Sequence, residues 1–314
     1  MQGNYKLVTY STDKKSPRAG IVVNEQVFDA EPAVADRSPT GRGFSVQELL
    51  ENWAIRSPML SEYAAAMATR PVEGVPLAGV QLHAPVLPGA IYCAGANYHD
   101  HVEEMVKALE QPLPPDVRAF FGSPWFFIKP SRTCVVAPQG TTVRPVQVKA
   151  LDWEAELAVV IGKTARSVSE SDALQYVAGY TIANDLSARD QLKRANMPAA
   201  APFHYDWVSH KAFEGSCPLG PWITPVDQVA DPQSLGIRLH VNGVIKQDSN
   251  TSQMIFPLAE LIAYISKTMT LYPGDVILTG TPAGVGAARR EFLAPGDHMR
   301  VEIDGLGVLE SSIS

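Results

Sequence analysis

Cysteine is scarce: the 314 residues contain three. Cys93, Cys134 and Cys217 are odd in number, far apart and in no C-x-x-C spacing. That excludes a disulfide framework and a thiolate metal knot, and reduced thiols are the expectation. No apolar run approaches the ~20 residues that a membrane span needs. Residues 1–11 carry no apolar h-region, so no secretory leader is expected and the expected location is the cytoplasm. Positive charge is not in excess. Lys and Arg number 26 against 33 Asp and Glu, a formal net charge of −7, which argues against nucleic acid or an anionic membrane as partner. There is no internal repeat, and only residues 198–202, rich in alanine and proline, are compositionally biased. The run T-G-T-P-A-G-V-G from Thr279 lacks the Lys-Ser/Thr of a P-loop and follows no dinucleotide fingerprint.

What remains is an ordinary globular composition, long enough for one large domain and a small one. Residues 1–80 read as the small α+β unit. Strands are expected at 5–10, 19–23 and 26–30, the last two joined by an Asn24-Glu25 turn. Helices are expected at 45–52, with Ser45 and Glu48 as a capping box, and at 59–69. Residues 70–88, rich in proline and valine, read as a linker into a main domain over 81–314. There a strand at 90–94 leads to a helix capped by Asn97. Residues 112–124 read as a loop, 125–128 as a strand, 171–177 as a helix and 187–190 as the start of another. Asn242-Gly243 signals a type I′ hairpin within 235–247. Residues 256–269 form a helix with one buried face. A strand at 275–279 and a second hairpin across Asp304-Gly305 close the chain.

The chemistry centres on Lys149 to Asp190. Glu154 and Glu156 stand at the mouth of a buried apolar strand, 157–161. Side chains alternate along a strand, so the two carboxylates face one side, roughly 6.5–7 Å apart at Cα. Buried together they repel and lose hydration, and a hard divalent cation removes both costs. Asp185, ending a second apolar strand over 177–184, is a natural third ligand. A solvated strand end is the competing reading. His101 and Glu104 share a helix face, and a carboxylate beside an imidazole would raise its basicity. The competing reading is an exposed pair on an ordinary helix. Lys211 lies in an apolar run and calls for a nearby anion, unless its tip snorkels to water. Arg189 reads as the partner of a neighbouring acid. His204 and His210 lack partners at ligand spacing and read as loop residues. The backbone N–H groups of the glycine-rich run, with Thr281, could hold a carboxylate, and a plain turn is the alternative.

Six motifs occur in series: N-Y-x-x-H, F-x-K-P-S, E-x-E, N-D-x-S-A-R-D, C-P-L-G-P-W and T-G-T-P-A-G-V. Together they resemble the fumarylacetoacetate hydrolase superfamily over residues 88–314. The resemblance implies an α+β, mostly β fold, a mixed β-sandwich roll with a small N-terminal α+β domain, usually built as a homodimer. It implies magnesium, with manganese or calcium as substitutes, on Glu154, Glu156 and Asp185. It implies His101, Glu104 and Lys211 as catalytic residues, and Thr281, Gln191 and Lys129 as substrate-binding ones. Ala94 stands where longer members carry a fourth metal aspartate, so fumarylacetoacetate itself is not the expected substrate. The expected partner is a small 2-oxo acid. The expected reaction is hydrolysis of a carbon–carbon bond in a 1,3-diketo acid, with His101, oriented by Glu104, activating water. A 2-oxo acid lyase or isomerase is the alternative, and a non-catalytic metal-binding protein the third.

Overall fold

The strand Ala155–Ile161 is buried at every position because both of its faces are covered. The computed structural model describes residues 3–12, 16–34, 43–69 and 74–314. Leu157, Val159 and Ile161 join a core with Tyr180, Ile182, Ile237, Leu239, Met299 and Val301. Ala158 and Val160 pack on the other side with Leu7, Ile21, Leu49, Leu50 and Leu60. Period-two alternation thus feeds two cores from one strand.

Among the described residues the first sheet has twelve strands, ten of them in one continuous order. From one edge it runs Val75–Pro76, Gln26–Asp29, Arg18–Val23, Lys6–Ser11 and Cys217–Pro225. It continues through Val177–Asn184, Ala155–Ile161, Val276–Leu278, Ile91–Ala94 and Phe126–Lys129. Val276–Leu278 and Ile91–Ala94 run parallel, so the sheet is mixed. The second sheet holds five strands: Val244–Asn250, Gly236–Val241, His298–Ile303, Gly307–Ile313 and Thr141–Thr142. The architecture is the expected one, mostly strands in mixed sheets.

Residues 1–80 and the rest share the first sheet, through Leu7 opposite Ile223, and share a core. The expected linker carries structure of its own. Val75–Pro76 pairs with Gln26–Asp29, and Gln81–His83 pairs with Lys6–Ser11. Residues 70–73, where that linker was to begin, lie outside the described residues. Among the described residues no helix is long and apolar enough to cross a membrane. The three cysteines are free and buried.

Local signals were followed closely. Ser45 and Glu48 form the capping box. Asn242 and Gly243 both take positive φ, as a type I′ turn requires. The second helix starts earlier than expected, at Trp53, and carries Pro58 inside it. Residues 112–124 contain a short helix, Val117–Phe121, capped by Asp116. The expected helices at 171–177 and 187–190 do not form. The first stretch holds the 3₁₀ turn Ala173–Tyr176, and the second is the short strand Ser187–Ala188, paired with Leu151–Asp152, followed by the 3₁₀ turn Arg189–Gln191.

Asn97 is not a helix cap; the helix His99–Ala108 has Tyr98 at that position. The buried Asn97 amide instead donates to Phe256 O and Thr279 O and accepts from Phe256 N–H. It clamps the 255–256 and 279–281 segments against the start of the helix that carries His101. Asn97→Ala leaves buried polar groups unpaired and is expected to cost about 2–4 kcal/mol. Urea unfolding checks this, and a loss under ~1 kcal/mol would remove the clamp from the account.

Candidate active site

Asn184 pairs with Ala155 in antiparallel register. Asp185, one past its strand, therefore faces Glu154, one before its own, and Asp185 N–H donates to Glu154 O at 2.8 Å. Glu156 returns to the same side two residues on. Oxygens of Glu154, Glu156 and Asp185 all lie within 4.8 Å of one another, and all three side chains are buried. An all-oxygen, thiolate-free and imidazole-free donor set fits a hard divalent cation.

Three cations surround the cluster. Lys211 Nζ donates to Glu154 Oε2 at 2.7 Å and to Asp185 Oδ2 at 2.6 Å. Arg189 bridges Asp152 Oδ2 at 2.7 Å and Glu154 Oε1 at 2.6 Å. Lys129 Nζ lies 2.7 Å from Asp185 Oδ1. Its hydrogens go to Leu186 O, Lys211 O and Ser216 O, so that contact is an ion pair and no hydrogen bond reaches Oδ1.

Burial pushes the Glu156 carboxyl well above its ordinary value, and the charges of Asp185 and Glu154 add to the push. Burial acts on Glu154 as well, but Lys211 and then Arg189 outweigh it and hold that carboxyl well below the usual range. Lys211 is penalised by burial and yet raised, because Asp185 and Glu154 face it. With Glu156 protonated, the carboxylates Asp152, Glu154 and Asp185 balance Lys129, Arg189 and Lys211. Ionised Glu156 is then the excess charge that a cation can take up.

A cavity of about 160 Å³ opens onto this cluster, and His101, Arg189, Lys211 and Thr281 stand in its wall. His101 Nδ1 is buried and makes no hydrogen bond to any described residue. Burial lowers the ring's pKa to about 4, with Arg189 and Lys211 acting in the same direction against Glu154 and Asp100. Both features depart from the expected His101–Glu104 pair. Glu104 accepts the Gly284 N–H at 2.8 Å and lies 4.0 Å from Arg289. It fastens the glycine-rich loop to the helix and leaves the imidazole without an orienting carboxylate.

That loop spends its N–H groups on the protein's own acids. Gly280 donates to Glu156, Ala283 to Asp100, Gly284 to Glu104, and Gly286 and Ala287 to Asp152. Gly284 has φ +103, and a Cβ there would lie 2.1 Å from Lys246 O, so only glycine fits. Thr281 lines the cavity, but its hydroxyl already donates to Ala155 O and accepts from Gln247. Lys129, expected to bind substrate, is fully buried behind Asp185 and absent from the cavity wall. Gln191 is also absent from the wall and donates to Gln147 O; Leu192 stands there instead.

Residue patterns missed Phe127, Leu192 and Trp207 as wall residues and read His210, also in the wall, as a loop residue. Trp207 and His210 sit on a short helix, Trp207–Lys211, capped by Asp206. Asp206 three residues before Ser209 was the available signal. His210 Nδ1 lies 2.9 Å from Ala188 O. Burial, then Lys211, lowers the ring to about 3 despite that bond.

The C-terminal fumarylacetoacetate hydrolase family model matches residues 90–314. A human mitochondrial oxaloacetate tautomerase is 42% identical over 242 residues, 76% of this chain and 71% of that protein. A Dictyostelium discoideum fumarylacetoacetate hydrolase domain-containing protein 2 homologue is 36% identical, over 99% of this chain and 98% of its own. Among solved structures, maleylpyruvate hydrolase from Sphingobium sp., in complex with manganese(II) and pyruvate, superposes with a TM-score of 0.71 at 29% identity, covering 98% of both chains.

Proposed function

The chain belongs to the fumarylacetoacetate hydrolase family, and on that premise we propose that it is a divalent-cation-dependent tautomerase of a small 2-oxo diacid of the oxaloacetate kind. Relatives at 42% identity carry that activity in their names. The observation that carries the reading is His101, whose buried Nδ1 has no partner among the described residues, in the wall of the same small cavity as Glu154 and Glu156; burial favours its neutral form.

Keto–enol exchange needs one group that takes a proton from the carbon beside a carbonyl and gives one to the oxygen. His101 removes the C3 proton, the electron pair enters the C2–C3 bond, and the imidazolium returns the proton to the C2 oxygen. Lys211 offsets the charge that develops on that oxygen. Magnesium or manganese on Glu154, Glu156 and Asp185 would supply the Lewis acidity that acidifies C3 of a bound 2-oxo acid.

Hydrolysis of an acylpyruvate is the second reading, supported by the likeness to maleylpyruvate hydrolase over the full chain. It needs a base oriented onto water, and Glu104 is bonded to Gly284 instead of His101, so it stands second. The ultraviolet enol band separates the two with magnesium or manganese present. A tautomerase relaxes the oxaloacetate band to equilibrium without consuming the acid. A hydrolase erases the acylpyruvate band and releases pyruvate. Inactivity on both substrates with both cations would overturn both readings.

Lys211→Met keeps volume and removes charge. It is expected to lower turnover by about 10²-fold or more, since one charge aimed at a developing oxyanion contributes that much. An unchanged rate would reduce Lys211 to a counter-ion of Glu154 and Asp185.

A further inference from the structure

His210 is used by none of the steps above, yet its ring stands in the cavity wall while its side chain is almost wholly buried, 1% exposed. One edge of the ring is committed. Nδ1 lies 2.9 Å from Ala188 O, and a carbonyl only accepts, so Nδ1 carries the hydrogen. In the neutral ring the lone pair is therefore on Nε2. No hydrogen bond links Nε2 to any described residue. Trp207 packs edge-on against the ring at 5.6 Å and holds its plane.

We infer that His210 Nε2 is the hydrogen-bond acceptor for a hydroxyl of the substrate, so that the site selects an enolic or hydroxyl-bearing acid. Only the identity of that acid rests on the tautomerase reading. The other polar side chains of the wall cannot take this role. Arg189 and Lys211 are donors only. The oxygens of Glu154 and Glu156 belong to the cation cluster. His101 is the proton carrier, and the Thr281 hydroxyl is bonded to Ala155 O and Gln247. A lone pair beside these groups repels a carboxylate and accepts an O–H, which tells an enol or alcohol from its keto or deoxy counterpart. Leaving such an acceptor unpaired in a buried site costs affinity for the ligand without the hydroxyl.

Binding tests this without turnover. Manganese-loaded protein is titrated calorimetrically with malate and with succinate, four-carbon diacids that differ by one hydroxyl. His210→Asn keeps an amide N–H where Nδ1–H stood, so the bond to Ala188 O survives, and it deletes Nε2. The malate-to-succinate affinity ratio is expected to fall about tenfold in H210N. It should recover toward wild type in H210Q, whose longer amide reaches the place of Nε2. If H210N does not fold, H210F keeps a ring, lacks the acceptor and is held to the same expectation. An unchanged ratio, or a wild-type protein that binds malate no tighter than succinate, overturns the assignment. A ratio that falls in a protein with no tautomerase activity would sink the functional reading and leave His210 in place. Tautomerase activity with an unchanged ratio would do the reverse.

Discussion

Glu156→Gln is expected to abolish the dependence on magnesium or manganese and to lower turnover by on the order of 10³-fold. The amide keeps the shape and still accepts the Gly280 N–H, which donates to Glu156 Oε2 at 2.6 Å. What it removes is the negative charge that burial, Asp185 and Glu154 resist most. Two acidic ligands beside Lys211, Arg189 and Lys129 hold a divalent cation poorly, because the surrounding positive charge is then no longer outweighed. The same reasoning fixes the sign of the stability change. A neutral side chain relieves repulsion within the triad, so the metal-free melting temperature should hold or rise. Manganese titration by calorimetry or electron paramagnetic resonance reads the affinity, and a thermal melt reads the fold. Manganese bound at wild-type affinity by this variant would remove Glu156 from the site.

Much of this site was legible because its geometry is local. Glu154 and Glu156 share a face by strand periodicity alone. Asp185 joins them because the return strand, Val177–Asn184, is the antiparallel neighbour of Ala155–Ile161. The capping box at Ser45 and the turn at Asn242-Gly243 are likewise set by residues within four positions of one another. What stayed hidden depends on where distant segments land. Glu104 meets Gly284 across 180 positions of sequence, and helix spacing offered His101 as the nearer partner. Asn97 meets Phe256 across 159 positions, and its residue type fits a helix cap equally well. The acidity of His101 follows from burial by several segments, so sequence neighbours gave the wrong direction. Lys129 and Gln191 lie beside the right motifs, but the first is turned behind Asp185 and the second toward Gln147. The strands Val75–Pro76 and Gln81–His83 are too short and too proline-marked to be read as strands without their partners.

His101→Ala is expected to reduce turnover by about 10²–10⁴-fold, the usual contribution of a positioned acid–base group. The pH profile tests the assignment more sharply than the loss of rate. A base works when neutral, so activity rises with pH through the ring's pKa. A carboxylate partner would have placed that limb above the ordinary histidine value. Burial places it at about 4, and positive charge on the neighbouring triad pushes in the same direction. The rate should therefore be insensitive to His101 from pH 8 down to roughly 5 and fall only below that. Glu104→Gln should leave the limb where it is, since Glu104 serves Gly284, although loosening the glycine-rich loop can weaken substrate binding. A limb above 6.5 that moves down in Glu104→Gln would restore the imidazole–carboxylate pair and bring water activation, and with it the hydrolase, ahead of the tautomerase. His101→Ala at the wild-type rate would exclude the ring from both reactions and leave the cation and Lys211 to carry the chemistry.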